Sequence, residues 1–325
     1  MPVPSADPDS ESPAVQSAPR RLDDVPGWFW PVDQLLFTRI LDDQDPDAGA
    51  GDLLEMGTYL GRSAILIGRH LRPGETFTVC DLFDSEAPDD PNADEMSMSY
   101  RQTLTRKAFE ANYLAFHPQL PQIVQATTSV LEGDRIAPES CRFVHIDASH
   151  LYDHVAGDIR VARAALRKNG VVALDDFRSE HTPGVSAAVW EAVFVHGLRP
   201  ICLSTQKFYG TWGDPSEIQQ ALLQHDWTGE GWALEHETIA GRPVLRFGGA
   251  GVNPLEPPAP IEEPATEEPE KPQPPSEAQA PAASRSGPAP RSAARRLALD
   301  LLPPIATRAV RRRLQAARER RARSA

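Results

Sequence analysis

Apolar positions along the middle of the chain follow two alternating rhythms. Six short runs are almost continuous in Val, Ile, Leu and Phe: "GDLLEMG", "TFTVCDLF", "PQIVQATTS", "CRFVHIDAS", "GVVALDDF" and "RPICLST". Runs of that length and content read as strands buried on both faces. Between them the apolar residues fall at helical spacing. "VPGWFWPVDQLLFTRILDD" has Pro31 at a helix start and a stripe of Val32, Leu35, Leu36, Ile40 and Leu41. "RSAILIGRHL", "SYRQTLTRKAFEANYLAFH", "YDHVAGDIRVARAALRKNG" and "GVSAAVWEAVFVHG" read as further helices, with Gly170 as the stop of the third. Strands alternating with helices predict an α/β fold: a doubly wound, mostly parallel Rossmann-like sheet with helices on both faces.

The rhythm fails at both ends. Residues 1–22 are rich in Pro, Ser and Asp, lack the apolar centre of a secretory signal, and read as disordered. A compact domain is expected over 23–250. Twelve of the 32 prolines fall between 251 and 290, among Glu, Ala and Gln. That composition buries too little to offset its chain entropy and reads as a linker. Residues 291–325 form a basic, helix-prone tail.

Charge is segregated the same way. The chain carries −13 overall, yet residues 285–325 hold twelve Arg against Asp300 and Glu319. Residues 252–284 hold seven Glu against Lys271. An acidic body joined through an acidic linker to a basic tail suggests that the tail contacts the body itself or an anionic membrane surface. Nucleic acid would attract the same charges, but no reading motif accompanies them. No run approaches a membrane span. Cys80, Cys141 and Cys202 are scattered, which argues for buried thiols in a reducing cytoplasm, with the tail allowing peripheral membrane contact. Homo-oligomerisation is left open.

In a doubly wound sheet, ligands bind beyond the carboxyl ends of the strands, so the residues there carry the chemistry. Strand one ends in Glu55-Met-Gly57-Thr-Tyr-Leu-Gly61-Arg-Ser63. Its glycines allow close backbone approach, and the following helix offers N–H groups to an anion. The spacing is not GxGxxG, which disfavours a nicotinamide dinucleotide. Strand two ends in Asp81, about 20 residues after the glycine turn, where an acid can hold ribose hydroxyls. Strand four ends in Asp147, with His150 three residues on, and strand five ends in Asp175-Asp176. Carboxylates brought together at adjacent strand tips repel, and a hard divalent cation such as Mg²⁺ resolves the conflict. The plain structural alternatives are a tight βα turn, helix N-caps and an acidic surface loop.

Together "LLEMGTYLGRSA", "VCDLF", "FVHIDASHLYDHV" and "GVVALDDF" resemble class I S-adenosylmethionine-dependent methyltransferases. The likeness is to the metal-dependent catechol-type enzymes and to bacterial O-methyltransferases that act on sugar hydroxyls of natural products. It covers about residues 26–215. The resemblance implies that Gly57, Thr58, Tyr59 and Gly61 line S-adenosylmethionine and that Ser63 meets its carboxylate. It places Glu55 under the turn near the amino group, Asp81 on the ribose and Ser129 beside the adenine. It gives Asp147, Asp175 and Asp176 to Mg²⁺, with Asp147 touching the donor as well. The chain departs from the catechol enzymes in having Asp-Asp where they have Asp-Asn, as the sugar-modifying relatives do. It also has His150 where they have a basic Lys. His suits proton abstraction near neutral pH, and Asp147, His181 and Asp153 are the rivals. Trp28, Phe29, Trp30 and a lid over 84–118 are expected to select a small-molecule or glycan acceptor. Two readings stand beside this one: a metal-independent methyltransferase, and a non-catalytic cofactor-fold protein whose tail does the work.

Overall fold

The computed structural model describes residues 18–44, 50–99, 103–133 and 135–249. The linker and tail expected past 250, and most of the N-terminal segment, lie outside these residues. The domain starts slightly earlier than 23: Leu22 opens a 3-10 turn and packs against the core.

Nine strands form one sheet: β1 (Asp52–Met56), β2 (Phe77–Asp81), β3 (Gln122–Gln125), β4 (Cys141–Ile146), β5 (Leu166–Leu174), β6 (Arg199–Leu203), β7 (Phe208–Thr211), β8 (Trp232–Ile239) and β9 (Arg242–Gly249). Their order across the sheet is β3-β2-β1-β4-β5-β7-β6-β9-β8. The first five strands pair in parallel, so their carboxyl ends share one edge. β7 runs antiparallel to both β5 and β6, and β8–β9 form a hairpin added beside β6.

Strand periodicity separates two apolar layers. Leu53, Phe143, Val171 and Ala173 point to one face, and Leu54, Val144, Val172 and Leu174 to the other. On the first face α1 (Pro31–Asp43) packs against α2 (Arg62–Gly68) and α7 (Ser216–Gln224). On the second, α5 (Tyr152–Ala165) packs against α6 (Pro183–Phe194). Proline begins both α1 and α6, where its missing N–H costs nothing.

Three expectations change. The helix over 152–170 stops at Ala165, and β5 starts at Leu166 with no loop between. Gly170 is therefore a strand residue: a Cβ there would meet the Cys141 carbonyl oxygen at 2.9 Å. The helix expected over 99–117 is divided. α3 (Asp90–Ser99) ends before it, and α4 (Arg106–Leu114) begins after Thr105, whose hydroxyl caps it by accepting from the Ala108 N–H at 3.2 Å. α4 inserts Phe109 and Tyr113 into the core, so only the α3 part of 84–118 is polar enough for a lid. No helix among the described residues is long and apolar enough to cross a membrane.

Candidate active site

The parallel strand ends open into a cavity of about 760 Å³, a volume typical of small-molecule sites. Its floor is the turn after β1. Gly57 has φ +81°, and a Cβ on it would lie 2.0 Å from the Asp147 carbonyl oxygen. Only glycine lets this turn rest on the tip of β4. Gly61, at φ +94°, caps α2. Thr58, Tyr59, Ser63, Asp81, Ser129, Asp147, Asp175 and Asp176, all anticipated from sequence, line the cavity, as do the rival bases Asp153 and His181.

Asp81 ties two turns together. Its Oδ2 accepts from the N–H groups of Thr58 (2.7 Å) and Tyr59 (3.1 Å), and its Oδ1 from that of Phe83 (2.6 Å). Burial raises the carboxyl's pKa, and these three donors oppose the shift. Ser129 begins the far wall, its hydroxyl 2.7 Å from that of Thr127.

Glu55 is buried at the end of β1, below the glycine turn, and the Ser63 hydroxyl hydrogen-bonds it. Within β1 it pairs with His145 of β4, so both side chains point to the α1 face and not into the cavity. It is fully buried, and its Oε1 accepts from His145 Nδ1 at 2.7 Å. Burial pushes its pKa up to about 8.

His145 leads to a residue that sequence reasoning missed. Lys207, in the turn before β7, is 1% exposed. Its Nζ donates to His145 Nε2 at 3.2 Å and forms an ion pair with Asp175 Oδ2. The rings of Phe29 and Phe37 lie 5.5 and 5.9 Å from the ammonium. Burial alone would lower the pKa of Lys207, but Asp175, Asp147 and Asp33 hold it raised. His145, donating at Nδ1 and accepting at Nε2, is a neutral imidazole, its pKa held down first by burial and then by Lys207.

The acids gather in two triplets that share Asp147. Ligand atoms of His145, Asp147 and Asp175 lie within 4.8 Å of one another, as do those of Asp147, His150 and Asp176. Burial, then Asp175, then Asp176 raise the Asp147 carboxyl well above its usual range, with Lys207 and His150 opposing. Asp176 sits at φ +54°, a left-handed conformation that is uncommon for a non-glycine residue and here turns its carboxylate toward the cavity.

His150 is not free to abstract a proton. Its Nδ1 bonds Glu95 Oε1 and its Nε2 bonds Asp176 Oδ2, both at 2.9 Å. Two carboxylate acceptors require both nitrogens protonated. Burial opposes that charge, but the hydrogen bonds to Asp176 and Glu95 raise the pKa to about 10. Glu95 and Asp176 are each lowered to about 2 against their own desolvation, chiefly by hydrogen bonds from His150. Neither Lys207 nor Glu95 lies in a motif, because each meets its partners through contacts 32 to 62 residues away.

The donor set fits a hard divalent cation. Each triplet offers two carboxylates and one imidazole, and the mutual stress on Asp147 is what such an ion would relieve. Lys207 and His150 neutralise part of the carboxylate charge by pairing with Asp175 and Asp176.

Residues 54–177 match a family model described as a methyltransferase domain. The chain is also similar to several solved structures. It is 19% identical to the O-methyltransferase NovP over 56% of this chain and 81% of that one, with a TM-score of 0.44. It is 18% identical to the O-methyltransferase TomG from Streptomyces achromogenes, solved with S-adenosylmethionine, over 59% and 85% (TM-score 0.38). An O-methyltransferase from Bacillus cereus, solved with S-adenosylhomocysteine, is 17% identical over 58% and 84% (TM-score 0.38). A search of curated proteins gives no match. The matched segment runs from β1 through the end of β5 and holds the glycine turn and every strand-tip acid, so the similarity to a methyltransferase domain falls on the part of the chain that builds the cavity.

Proposed function

We propose that the protein transfers a methyl group from S-adenosylmethionine to a hydroxyl of a sugar or other natural-product acceptor, assisted by Mg²⁺. The observation that carries this reading is the convergence of the glycine turn, Asp81, Asp147, Asp175 and Asp176 on one cavity. Gly57, Thr58, Tyr59 and Gly61 would hold the methionine part, Asp81 the ribose, and Ser129 the edge of the base. In the reaction the carbon–sulfur bond of the sulfonium breaks as the carbon–oxygen bond forms. The sulfonium becomes a neutral thioether and the hydroxyl loses a proton.

With both His150 nitrogens engaged, the better-placed proton acceptor is the Asp147 carboxylate, which accepts no side-chain hydrogen bond among the described residues. Asp147, Asp175 and Asp176 would hold the magnesium ion, which would supply Lewis-acid polarisation of the acceptor oxygens. The remaining contribution is alignment: a rigid floor and two fixed carboxylates hold the acceptor oxygen against the methyl carbon. One observation favours a metal-independent variant of the same reaction, since Lys207 and His150 already pair with Asp175 and Asp176.

Calorimetry with S-adenosylhomocysteine tests the donor, and methyl transfer to a panel of sugar and phenol acceptors, with and without chelator, tests the rest. Absence of S-adenosylhomocysteine binding would overturn the donor assignment. Full turnover after exhaustive chelation would select the metal-independent variant. We propose in addition a cytoplasmic protein whose basic tail contacts an anionic membrane surface or the acidic body.

A further inference from the structure

α3 lies over the cavity, which Asp89, Asn92, Glu95 and Met96 help to line. Among its described side chains no apolar one is buried, and Asn92 is the single buried residue. Polar ties fasten it to the start of α5. Glu95 Oε1 accepts from the His150 N–H at 2.7 Å and from His150 Nδ1 at 2.9 Å. Glu95 Oε2 accepts from the Ser149 hydroxyl at 2.9 Å and from Asn92 Nδ2 at 3.0 Å. Next to α3, Asp89 Oδ2 bonds His154 Nε2 at 3.0 Å, and His154 Nδ1 meets the Ser149 hydroxyl, also at 3.0 Å. On its other side His150 grips Asp176, whose second oxygen takes the Ser179 hydroxyl at 2.6 Å.

We propose that Glu95 is a positioning residue carried on a lid: when α3 closes over the cavity, Glu95 captures Ser149 and His150, and through His150 it fixes the carboxylate of Asp176. Closure and site assembly are then one event. A helix whose described side chains bury nothing apolar opens at little hydrophobic cost, so a charged residue can decide whether it stays shut. Ser149 serves both ties, which makes the Glu95 and Asp89 contacts cooperative. The inference rests on the methyltransferase reading for its consequence, but the latch itself does not depend on which donor binds.

The test compares wild type with Glu95→Ala, Glu95→Gln, His150→Ala and the Glu95→Ala/His150→Ala double variant in the full chain. Hydrogen exchange is read over residues 90–96 and over β1 and β4. S-adenosylhomocysteine dissociation is followed by the tryptophan signal of the cavity. Both Glu95 variants should speed exchange over 90–96 by at least about tenfold while leaving β1 and β4 protected. They should speed S-adenosylhomocysteine release by a similar factor. The double variant should be no faster than Glu95→Ala, because the two residues form one contact. The His150 imidazole ¹⁵N resonances should move in Glu95→Gln, a signature that loosening elsewhere in α3 would not give. Unchanged exchange over 90–96 in both Glu95 variants overturns the latch, as does full additivity in the double variant. If wild type does not bind S-adenosylhomocysteine, the donor assignment fails, while the exchange comparison still decides the latch.

Discussion

Lys207 sits where a lysine is expensive, and Asp175 is the reason it is tolerated there. Removing one partner of a buried pair leaves the other charge without compensation. Lys207→Met should therefore destabilise the protein by about 3–5 kcal/mol, read by denaturant unfolding. A loss below about 1 kcal/mol would show that water replaces the ammonium. Asp81 binds three backbone N–H groups and faces the cavity. Asp81→Ala should weaken S-adenosylhomocysteine binding by about 1–3 kcal/mol, since a charge-assisted hydrogen bond is lost. Wild-type affinity in calorimetry would remove Asp81 from the ribose. Asp147→Asn and Asp175→Asn should each abolish turnover. Asp147→Asn should do so with the melting temperature nearly unchanged, because among the described residues that carboxylate accepts no side-chain hydrogen bond. Asp175→Asn should also lower the melting temperature, because Lys207 loses its counter-charge.

The turn after β1 carries two demands at once: a left-handed backbone at Gly57 and contact with the tip of β4. Gly57→Ala should cost more than the roughly 1–3 kcal/mol of a strained backbone, because a Cβ has no room. Gly133→Ala is the control. It has φ +93° but nothing within 4 Å of a Cβ, so it should show the backbone strain alone. Equal losses in the two variants would argue against the steric account. At this scale the sequence was readable wherever one rhythm dominated. β1, β2, β4 and α1 follow from continuous apolar runs and a clean stripe. The α5–β5 boundary was not readable, because "RVARAALRKNG" keeps helical spacing past the point where Leu166 pairs with Cys141. β7, α7 and the β8–β9 hairpin carry short or mixed patterns that become strands and helix only against neighbours already in place. The strand-tip acids were visible as motifs. The Glu55–His145 pair was not visible, because strand pleat, not sequence spacing, brings the two side chains together on the α1 face. His150 looked available because Glu95 approaches it from 55 residues away.

Across the whole molecule several buried acids share one sign. Burial raises Glu55 to about 8, Asp158 to about 7 and Asp33 to about 6. Between the unfolded values near 4 and these folded values the native state binds more protons, so stability falls as pH rises. His150, raised to about 10, adds the same trend above its unfolded value, and the lowered Glu95 and Asp176 are already fully ionised in both states there. The buried neutral His145 works the other way below its unfolded value near 6.5, so the melting temperature should decline clearly only from about pH 6.5 to pH 8. A flat profile would mean that these carboxyls are solvated. Residues 252–325 lie outside the described fold, and deleting them should leave methyl transfer on a soluble acceptor unchanged. The same deletion should abolish salt-sensitive binding to anionic vesicles, to which each basic residue near the surface contributes about 1 kcal/mol. Loss of folding on truncation would place the domain's end beyond 250.

On the proposed reading, the close approach of Gly57 to the Asp147 carbonyl would join the donor's seat to the acceptor's seat through main chain alone. The gap a methyl group must cross is then a property of the sheet, shared by whatever acceptor enters. Descendants of this chain are free to rewrite α3 and the tryptophan-bearing entry to α1 in search of new acceptors without ever having to re-measure that gap.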